Sequence, residues 1–402
     1  MNVLVVNAGS SSLKYQLFDT NTGSVMAKGN CERIGLDGKI EHKQADGTKT
    51  VKEIEMPNHS VAIRVVVDTL TDPEIGCIKS MSEIEAVGHR VVHGGPYFFE
   101  SVLATDEVIE KLELCRDFAP LHTGAHLMGL KGCMDEMPGV PQVLVFDTAF
   151  HQTMPEEAYF YPLAYEMYEK YHIRRYGAHG TSHRFVSGEM CKILGRTEGT
   201  KIVTCHLGNG SSISAVKDGK VIDTSMGFTP LDGVEMGTRC GSIDPAIVPY
   251  IMEKEGFTPA EMSDFMNKKC GFLGVSGISS DSRDVEKAAA EGNKRAILAT
   301  KILAYQIKKF IGSYAAAMGG LDAIVFTAGL GENNPLLRER VCEDLAFLGV
   351  EIDKPVNAEA HHQPNTIKLS SGNSKVEVYL IPTNEELVIA SDTEAIANSL
   401  KK

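Results

Sequence analysis

The sequence predicts an α/β fold made of two duplicated domains, and three observations support this prediction. The chain has 402 residues, which is more than one hydrophobic core usually supports. Short apolar runs of strand length alternate with longer segments of helical period, a pattern typical of α/β proteins. A strand–turn–strand segment with a Gly-Ser-Ser bend occurs twice, roughly 200 residues apart, and this repetition indicates an internal duplication.

The first copy covers residues 3–18. The apolar run at 3–6 is too short for a helix and predicts a buried strand. The small residues at 7–12 favour a tight turn, after which apolar and polar side chains alternate as in a second strand. The turn would present backbone N–H groups, three hydroxyls and Lys14 to a ligand. Such donors suit an oxyanion with several charges, for example a polyphosphate.

The second copy covers residues 202–224. A strand at 202–207 is followed by a turn at 208–212, and Asp218-Gly219 predicts a hairpin turn further along. For either copy alone, an ordinary structural hairpin explains the sequence equally well. The repetition favours a different interpretation, in which two loops hold one phosphate chain from the two sides of a cleft.

The remaining elements follow from periodicity and from helix start and stop signals. We predict a domain boundary near residue 150 and hairpins between 20 and 56 at the edge of the first domain. Further strands are predicted at 84–93, 140–146, 321–328 and 376–382, and helices at 59–70, 106–118, 124–135, 183–194, 294–318, 335–346 and 385–400. A capping box with proline at the first helical position begins another helix at Thr258.

Composition excludes several classes of protein. A net charge of −13 argues against nucleic acid and anionic membranes as partners. Nine scattered cysteines without a CxxC pair predict buried thiols in a reducing cytosol rather than disulfides or a zinc site. The N-terminal apolar run is too short for a signal peptide, and no stretch reaches membrane-spanning length. An acidic protein that binds phosphates must concentrate positive charge locally and usually recruits a divalent cation.

No P-loop motif GxxxxGK[ST] is present, so the candidate chemistry lies in other motifs. Arg90, at the end of a predicted strand, could bind a carboxylate through two parallel hydrogen bonds, although a structural salt bridge explains it equally well. Asp147 follows a buried apolar strand directly. A carboxylate in that position is costly unless it is used or paired, which favours a functional role.

Two further motifs suit a phosphoryl group. His179 and His183 are four residues apart, but the Gly-Thr-Ser between them is a poor helix former and no third zinc ligand follows. We therefore interpret His179 as a donor to a phosphoryl oxygen and His183 as structural. Arg239 lies in a glycine-rich turn, from which it could reach a phosphoryl group in transfer. A surface arginine in a turn is the alternative.

Three weaker motifs remain open. Residues 327–333 predict a strand, a glycine turn and a helix start, where backbone could approach a flat ring or a sugar. Residues 281–283 could serve a ligand or simply cap a helix. In the segment 383–386, Thr or Asn can cap the last helix, and one glutamate could instead serve Mg²⁺.

Taken together, these segments resemble the acetate kinase family of the acetate and sugar kinase, heat-shock chaperone ATPase and actin superfamily. The resemblance covers nearly the whole chain and rests on the ordered motifs NAGSSSLK, GHRVVHGG, VFDTAFHQTMP, RRYGAHGTSHRFV, CHLGNGSS, DTSMGFTPL, MGTRCGSIDPAI, TAGLGEN and IPTNEELVIA. It implies duplicated actin-like ATPase domains of ribonuclease H-like topology flanking a nucleotide cleft. Their bounds would be 1–150 plus a returning C-terminal helix at 385–402, and a nucleotide-binding domain at 151–384.

The resemblance also implies an activity. The family reversibly transfers a phosphoryl group from ATP to acetate with Mg²⁺ or Mn²⁺, giving acetyl phosphate and ADP by direct in-line transfer, usually as a cytoplasmic homodimer. Carried over by motif, the catalytic residues are Asp147, His179 and Arg239. Arg90 would hold the acetate carboxylate, with an apolar pocket for its methyl group formed by Val92, Leu121, Ala178 and Pro230.

The remaining roles implied by the resemblance concern ATP and the metal. Asn7 and Glu385 would help to hold Mg²⁺, although Glu386 is an alternative to Glu385. The ATP-binding residues would be Lys14, His206, Leu207, Gly208, Asn209, Gly210, Asp281, Ser282, Arg283, Gly329, Leu330, Gly331, Glu332 and Asn333. Acetate is already an anion at neutral pH, so we expect Asp147 to position groups or Mg²⁺ rather than to accept a proton.

Two alternatives stay open at this point. Some family members have Phe at the position of Ala178, and the smaller side chain would admit propionate, because one methylene contributes only about 1–3 kcal/mol of discrimination. A short-chain acyl kinase that prefers propionate or butyrate is therefore one alternative. The chain could also be an actin-like ATPase switch that phosphorylates no substrate. Arg90 and Arg239 argue against a switch, since a switch does not need to hold a carboxylate.

Overall fold

Two α/β units, each built on its own sheet, make up the computed structural model, which describes residues 1–120 and 122–401. The first unit comprises Met1–Phe150 and Asn384–Lys402, and the second comprises His151–Thr383. Leu121, which the family resemblance assigns to the acetate pocket, lies outside the described residues. Across the part of the chain that is described, no helix has the length and apolar character that crossing a bilayer requires.

The sheet of the first unit has eight strands in the order β5-β4-β3-β2-β1-β6-β8-β7. The strands are β1 (Asn2–Ala8), β2 (Ser12–Asp19), β3 (Ser24–Glu32), β4 (Lys39–Gln44), β5 (Lys49–Glu53), β6 (Ala86–Val91), β7 (Val102–Leu103) and β8 (Gln142–Phe146). Strands β1 to β5 pair antiparallel, whereas β6 and β8 run parallel to β1. The strand–turn–strand predicted for the first repeat and the hairpins predicted between 20 and 56 are therefore confirmed.

The helices before residue 150 are α1 (His59–Leu70), α2 (Asp106–Leu114) and α3 (Thr123–Glu136). The apolar face of β1 to β4, with Leu4, Leu13 and Leu17 fully buried, packs into one core with α1. Because side chains alternate along a strand, the opposite face of β2 to β4 carries polar residues. Helix α2 is shorter than the predicted helix at 106–118, since Cys115–Phe118 tightens into a 3₁₀ turn.

The sheet of the second unit has six strands in the order β11-β10-β9-β12-β14-β13. The strands are β9 (Lys201–Leu207), β10 (Ser211–Lys217), β11 (Lys220–Thr224), β12 (Ala323–Thr327), β13 (Ile367–Lys368) and β14 (Glu377–Leu380). Asp218 and Gly219 both have positive φ, 53° and 73°, as a two-residue hairpin turn requires. The predicted Asp-Gly turn is confirmed.

The helices of the second unit pack on this sheet around a large apolar core. They are α4 (Glu156–Tyr159), α5 (Tyr165–Tyr171), α6 (Gly180–Leu194), α7 (Ile247–Glu255), α8 (Pro259–Lys268), α9 (Gly271–Ser276), α10 (Ser282–Ala290), α11 (Lys294–Met318), α12 (Ala328–Asn333), α13 (Pro335–Cys342) and α14 (Lys354–Glu359). Helix α11 has the predicted bounds, because Asn293 caps its start and Gly319 ends it at φ 69°. The capping box predicted at Thr258 is also present.

Two predictions around residue 330 need correction. Residues 328–333 form the short helix α12 rather than a glycine turn, and α13 ends at Cys342 rather than at 346. After α13 the chain turns through Asp344 at φ 66° into a 3₁₀ turn at Ala346–Leu348. The other 3₁₀ turns are Met81–Glu83 and Ala149–Thr153.

The two sheets share one topology. In the first sheet β3-β2-β1-β6-β8 comprises two antiparallel and then two parallel pairings, and β11-β10-β9-β12-β14 in the second sheet has the same pairings in the same order. The Gly-Ser-Ser bend occupies the same place in both, between the first and second strands. The duplication predicted from the repeated bend is therefore confirmed by strand order.

The last helix, α15 (Glu385–Ser399), belongs to the first unit. Its Ile389 and Ala390 pack with Val3, Val5 and Val143 of the sheet. The approach is close at Gly88, where an added methyl group would lie 2.3 Å from Oγ1 of Thr393. Glycine is therefore required at this point of β6, and α15 is fixed beside the strand that carries Arg90.

Candidate functional site

Arg90 and Asp147 lie together in the first unit. Nε of Arg90 donates to Oδ1 of Asp147 at 3.1 Å, and one Nη donates to Oδ2 at 2.7 Å. The two residues end neighbouring parallel strands, β6 and β8, whose carboxyl ends meet at one sheet edge. The Asp147 side chain is 2% exposed and that of Arg90 is 23% exposed. The pair has the two-hydrogen-bond geometry that planar guanidinium and carboxylate groups favour.

The electrostatics of this pair involve the start of α15. Asp147 raises the pKa of the Arg90 guanidinium, and Glu385 and Glu386 add to the effect. Burial raises the pKa of the Asp147 carboxyl, against the opposing effect of the Arg90 guanidinium. Because its pKa is raised, the Arg90 guanidinium remains charged. Asp147 occupies only the Nε side of the guanidinium fork, and the side formed by the two Nη atoms can still take a substrate carboxylate.

The first hairpin contributes Asn7 and Lys14. These two residues are directly opposite each other on β1 and β2 and line one groove with Glu386. Asn384 caps α15 by accepting a hydrogen bond from the Leu387 N–H, as the sequence allowed. The structure thus brings Asn7 together with Glu386, whereas Glu385 acts electrostatically on Arg90 and Asp147.

His179 and Arg239 lie together in the second unit, next to the second Gly-Ser-Ser bend. A methyl group added to Gly210 would lie 3.4 Å from Nη1 of Arg239 and 3.5 Å from Nε2 of His179. His179 precedes α6 with φ 59°, and its ring stacks on that of His206 with centroids 4.1 Å apart. The predicted site residues His179, Gly210 and Arg239, which come from separate motifs, therefore meet at one turn.

Arg239 has no carboxylate partner among the residues that the structure describes. Its Nη1 donates to the Pro230 carbonyl at 3.0 Å and contacts Sδ of Met236 at 3.6 Å. Burial lowers the pKa of its guanidinium. A half-buried guanidinium that is bound only to neutral groups favours an anion as its remaining partner.

The residues that orient His179 were not identified from the sequence. Oγ of Ser212 lies 2.9 Å from Nδ1 of His179 and 2.7 Å from Nε2 of His183, so one hydroxyl joins both imidazoles. His183 is also bound to Oγ1 of Thr204 at 2.7 Å, and burial lowers its pKa well below the ordinary value. His183 thus has the structural role that the sequence predicts. The repeated Gly-Ser-Ser motif was the available signal for Ser212.

The second bend itself is tight. The Gly208 N–H donates to the Gly210 carbonyl at 3.1 Å and to Oγ of Ser211 at 3.2 Å. The Gly237 N–H donates to the Asn209 carbonyl at 3.3 Å, and a methyl group on Gly237 would lie 3.0 Å from the Ser280 carbonyl. The turn carrying Arg239 therefore lies between the bend and the start of α10.

The start of α10 contains the predicted residues 281–283. Asp281 caps the helix by accepting from the Arg283 N–H, and its carboxylate also pairs with the Arg283 side chain at 2.6 Å. The helix-cap interpretation is confirmed. Arg283 is 88% exposed, so this pair contributes little to stability.

The predicted residues 329–333 form α12, next to the second bend. A methyl group on Gly331 would lie 3.8 Å from Cβ of Leu207. The Glu332 carboxylate accepts hydrogen bonds from the N–H groups of Ala328 and Thr383, at 2.9 and 3.2 Å. The structure therefore gives Glu332 a role in bracing the backbone, which sequence motifs did not reveal.

Arg338 holds α12 in place through hydrogen bonds to its carbonyls. It was also not identified from the sequence. It is fully buried, and it donates to the carbonyls of Gly331 and Glu332 at 2.7 and 3.1 Å and to Oδ1 of Asn357 at 2.8 Å. Burial lowers the pKa of its guanidinium to about 10. A charged group without a carboxylate is stable there because carbonyl dipoles surround it.

The apolar residues assigned to the acetate pocket are distributed over both units. Val92 follows β6, and its N–H donates to Nε2 of His126 at 3.2 Å. Ala178 is buried against Met226 and Met236, and Pro230 binds Arg239 through its carbonyl. Ala178 and Pro230 thus adjoin the Arg239 turn, whereas Val92 adjoins Arg90.

Comparison with known proteins gives a family. The profile of the Acetokinase family matches residues 2–391. The acetate kinase of Thermoanaerobacter pseudethanolicus is 58% identical over 404 residues, and the alignment covers 100% of both chains. The acetate kinase of Methanosarcina barkeri is 55% identical, with 100% of this chain and 98% of the relative covered.

Solved structures agree in fold. The acetate kinase of Porphyromonas gingivalis has a TM-score of 0.94 at 50% identity, covering 98% of this chain and 99% of that chain. A propionate kinase from Francisella tularensis has a TM-score of 0.91 at 42% identity with the same coverage. The predicted fold class is therefore confirmed.

Proposed function

Because the chain belongs to the acetokinase family and transfers a phosphoryl group from ATP to acetate, we propose how its residues carry out this reaction. The single observation that supports the proposal best is the half-buried guanidinium of Arg239, which lies beside His179 at a glycine-rich bend and pairs with no carboxylate in the described part of the chain. Such a group is suited to the negative charge that spreads over the oxygens of a phosphoryl group in transfer.

Arg90 holds the acetate carboxylate in this proposal. Asp147 fixes the guanidinium by two hydrogen bonds and leaves the second side of the fork for the substrate. Asp147 is thus a positioning residue for Arg90. It does not need to act as a base, because acetate is already ionised far below neutral pH.

Arg239 and His179 stabilise the phosphoryl group. The glycine at 210 leaves space for a phosphoryl oxygen between them, which a methyl group would fill. Ser212 holds Nδ1 of His179, so that Nε2 is directed toward this space. Catalysis then consists of alignment and charge neutralisation, with attack by a carboxylate oxygen on the γ-phosphorus while the bond to ADP breaks.

The nucleotide would be bound by two groups of residues. Lys14 of the first unit contacts the phosphates, and the segments 206–210, 281–283 and 329–333 of the second unit lie along ATP. This assignment is supported by the proximity of the bend, the start of α10 and α12 within that unit. The Glu332 carboxylate has a bracing role there.

Magnesium fits the oxygen donors of the first unit. Mg²⁺ usually takes one or two carboxylates together with substrate phosphates. Asn7 and Glu385 would hold it, with Glu386 as the alternative that shares a groove with Asn7. When bound, Mg²⁺ neutralises charge on the transferring phosphates.

A homodimer and a cytoplasmic location complete the proposal. Leu163, Tyr165 and Tyr171 of the α4–α5 segment are 57%, 58% and 50% exposed, and exposed apolar side chains so close in sequence favour a protein interface. The nine cysteines are all free thiols, as expected in a reducing compartment. Light scattering of the parent and of Tyr165→Glu tests the interface: the variant should have the lower mass.

Neither a kinase that prefers propionate or butyrate nor an ATPase switch is favoured. Relatives at 58% and 55% identity over the full length are acetate kinases, although the propionate kinase at 42% identity makes chain length worth measuring. The deciding experiment is acyl hydroxamate formation from ATP with acetate, propionate and butyrate. The highest kcat/KM is expected for acetate. Phosphate release from ATP without any hydroxamate would indicate an ATPase switch instead.

A further inference from the structure

Three lysines face one groove on the polar side of the first sheet. The groove has a volume of about 320 Å³ and is lined by Lys14, Lys28 and Lys43 together with the side chains of Asn7, Gln16 and Asn30. Lys28 and Lys43 have not been assigned to any site above. A space of this size matches the lower end of small-molecule sites in proteins.

Strand register explains why these lysines point the same way. Gln16 is directly opposite Lys28, and Lys28 is directly opposite Lys43. Directly opposite residues lie on one face with Cβ atoms about 4.5–5.5 Å apart. Lys14 is two residues before Gln16 and therefore shares this face. The three ammonium groups thus extend from neighbouring strands, β2, β3 and β4, over a span of roughly 10 Å.

Positive charge exceeds negative charge in this groove, because three lysines line it together with two glutamates, Glu41 and Glu386. Like charges directly opposite in a sheet are destabilising, yet Lys14, Lys28 and Lys43 form no ion pair with a carboxylate within residues 1–120 and 122–401. Glu41 also lines the groove, but Lys49 binds its carboxylate at 2.8 Å. Glu386 lies at the border formed by α15 and also acts on Arg90. A chain with a net charge of −13 therefore keeps an excess of positive charge at this place.

We propose that the lysine groove binds a ligand with two or more phosphoryl groups, held by Lys14, Lys28 and Lys43. The span of the lysines exceeds what one phosphoryl group can contact, and ammonium groups act as point charges that suit phosphate oxygens. The ligand is either a free condensed phosphate or the phosphate chain of a nucleotide. This inference rests on the proposed function at Lys14, which is assigned there to the phosphates of ATP, and extends it to Lys28 and Lys43. Its test measures binding without turnover, so it can fail while the proposed reaction holds.

The test measures tripolyphosphate binding by calorimetry in the full-length Arg239→Ala variant, where the other proposed anion site is weakened. Adding Lys28→Ala and Lys43→Ala should lower the affinity at least about tenfold. The matched control is Lys111→Ala with Lys131→Ala, which removes two exposed lysines from α2 and α3 and should leave the affinity within about twofold. Orthophosphate should bind more weakly than tripolyphosphate, and higher NaCl should weaken both.

Other results would overturn the proposal. These are no binding in the starting variant, an equal loss in the control variant, or orthophosphate binding as tightly as tripolyphosphate. Repeating the tripolyphosphate titration at saturating ATP then shows which of the two ligands occupies the groove. If ATP removes the lysine-dependent binding, the phosphate chain of the nucleotide occupies the groove. If that binding persists beside ATP, the groove takes a separate condensed phosphate. Both of these results support the site.

Discussion

Arg90 and Asp147, 57 residues apart in sequence, form a two-hydrogen-bond ion pair at the ends of adjacent parallel strands. Replacing only one partner of a buried pair leaves an uncompensated charge, which is more costly than the pair itself. The pair therefore holds the Arg90 guanidinium in place, as the proposed binding of a small carboxylate requires.

We expect Arg90→Ala to raise the KM for acetate about 10- to 100-fold, corresponding to the roughly 1.5–3 kcal/mol of hydrogen bonds to a charged group, while the KM for ATP changes much less. Steady-state kinetics with each substrate varied in turn provides the measurement. Arg64→Ala, which removes an exposed pair with Glu136, is the control and should retain both values. Equal changes in the KM values for acetate and ATP would contradict a carboxylate-binding role for Arg90.

Arg239→Ala should lower kcat by about 10³-fold or more, because an arginine on the transferring phosphoryl group can contribute this much. The melting temperature should change little, since the partners of the guanidinium within residues 1–120 and 122–401 are all neutral. Arg196→Ala, at an exposed pair with Asp322, is the matched arginine control. Normal turnover by a folded Arg239→Ala protein would refute the assignment.

Gly210→Ala should reduce kcat/KM for ATP about 10- to 100-fold, because the added methyl group would occupy the space between Arg239 and His179 and misalign the phosphoryl group. Its distances of 3.4 and 3.5 Å are ordinary contacts, so the fold should be retained. The control is Gly188→Ala in α6, where a methyl group meets nothing within 4 Å. Similar kinetics in the two variants would contradict a phosphoryl site at the bend.

Glu235 links stability to pH. It is 2% exposed, both carboxyl oxygens are without a hydrogen-bond partner among the described residues, and burial raises its pKa from 4.5 to about 8. Between these pH values the folded chain binds one proton more than the unfolded chain at this group. The free energy of unfolding therefore falls as pH rises from 4.5 to 8 and stays lower above that.

Glu235→Gln removes this proton uptake, so the variant should gain stability relative to the parent as pH rises. Between pH 5 and pH 9, the unfolding free energy of the variant should rise relative to that of the parent by a few kcal/mol, given about 1.4 kcal/mol for each pKa unit. Urea unfolding at both pH values measures it. Glu255→Gln, at an exposed helix end, should follow the parent, and a constant difference for Glu235→Gln would disprove the linkage.

Helices with strong local signals were predicted well. The helices His59–Leu70 and Lys294–Met318 have the predicted bounds, because the apolar period and the capping asparagine lie in or next to each segment, and Gly319 also ends the second helix. The helices predicted at 106–118 and 335–346 were too long. Their last turns are replaced by 3₁₀ turns and irregular backbone that packing with other segments decides.

The sequence by itself determined the duplicated hairpins, the α/β class and the identity of the charged motifs, because these depend on residue type and on short-range periodicity. Only the tertiary structure decided that Ser212 joins two histidines, that Glu332 braces backbone, and that Lys28 and Lys43 share a groove with Lys14. These relationships depend on strand register and on contacts between distant segments, and such contacts form only when the buried cores fix the sheets.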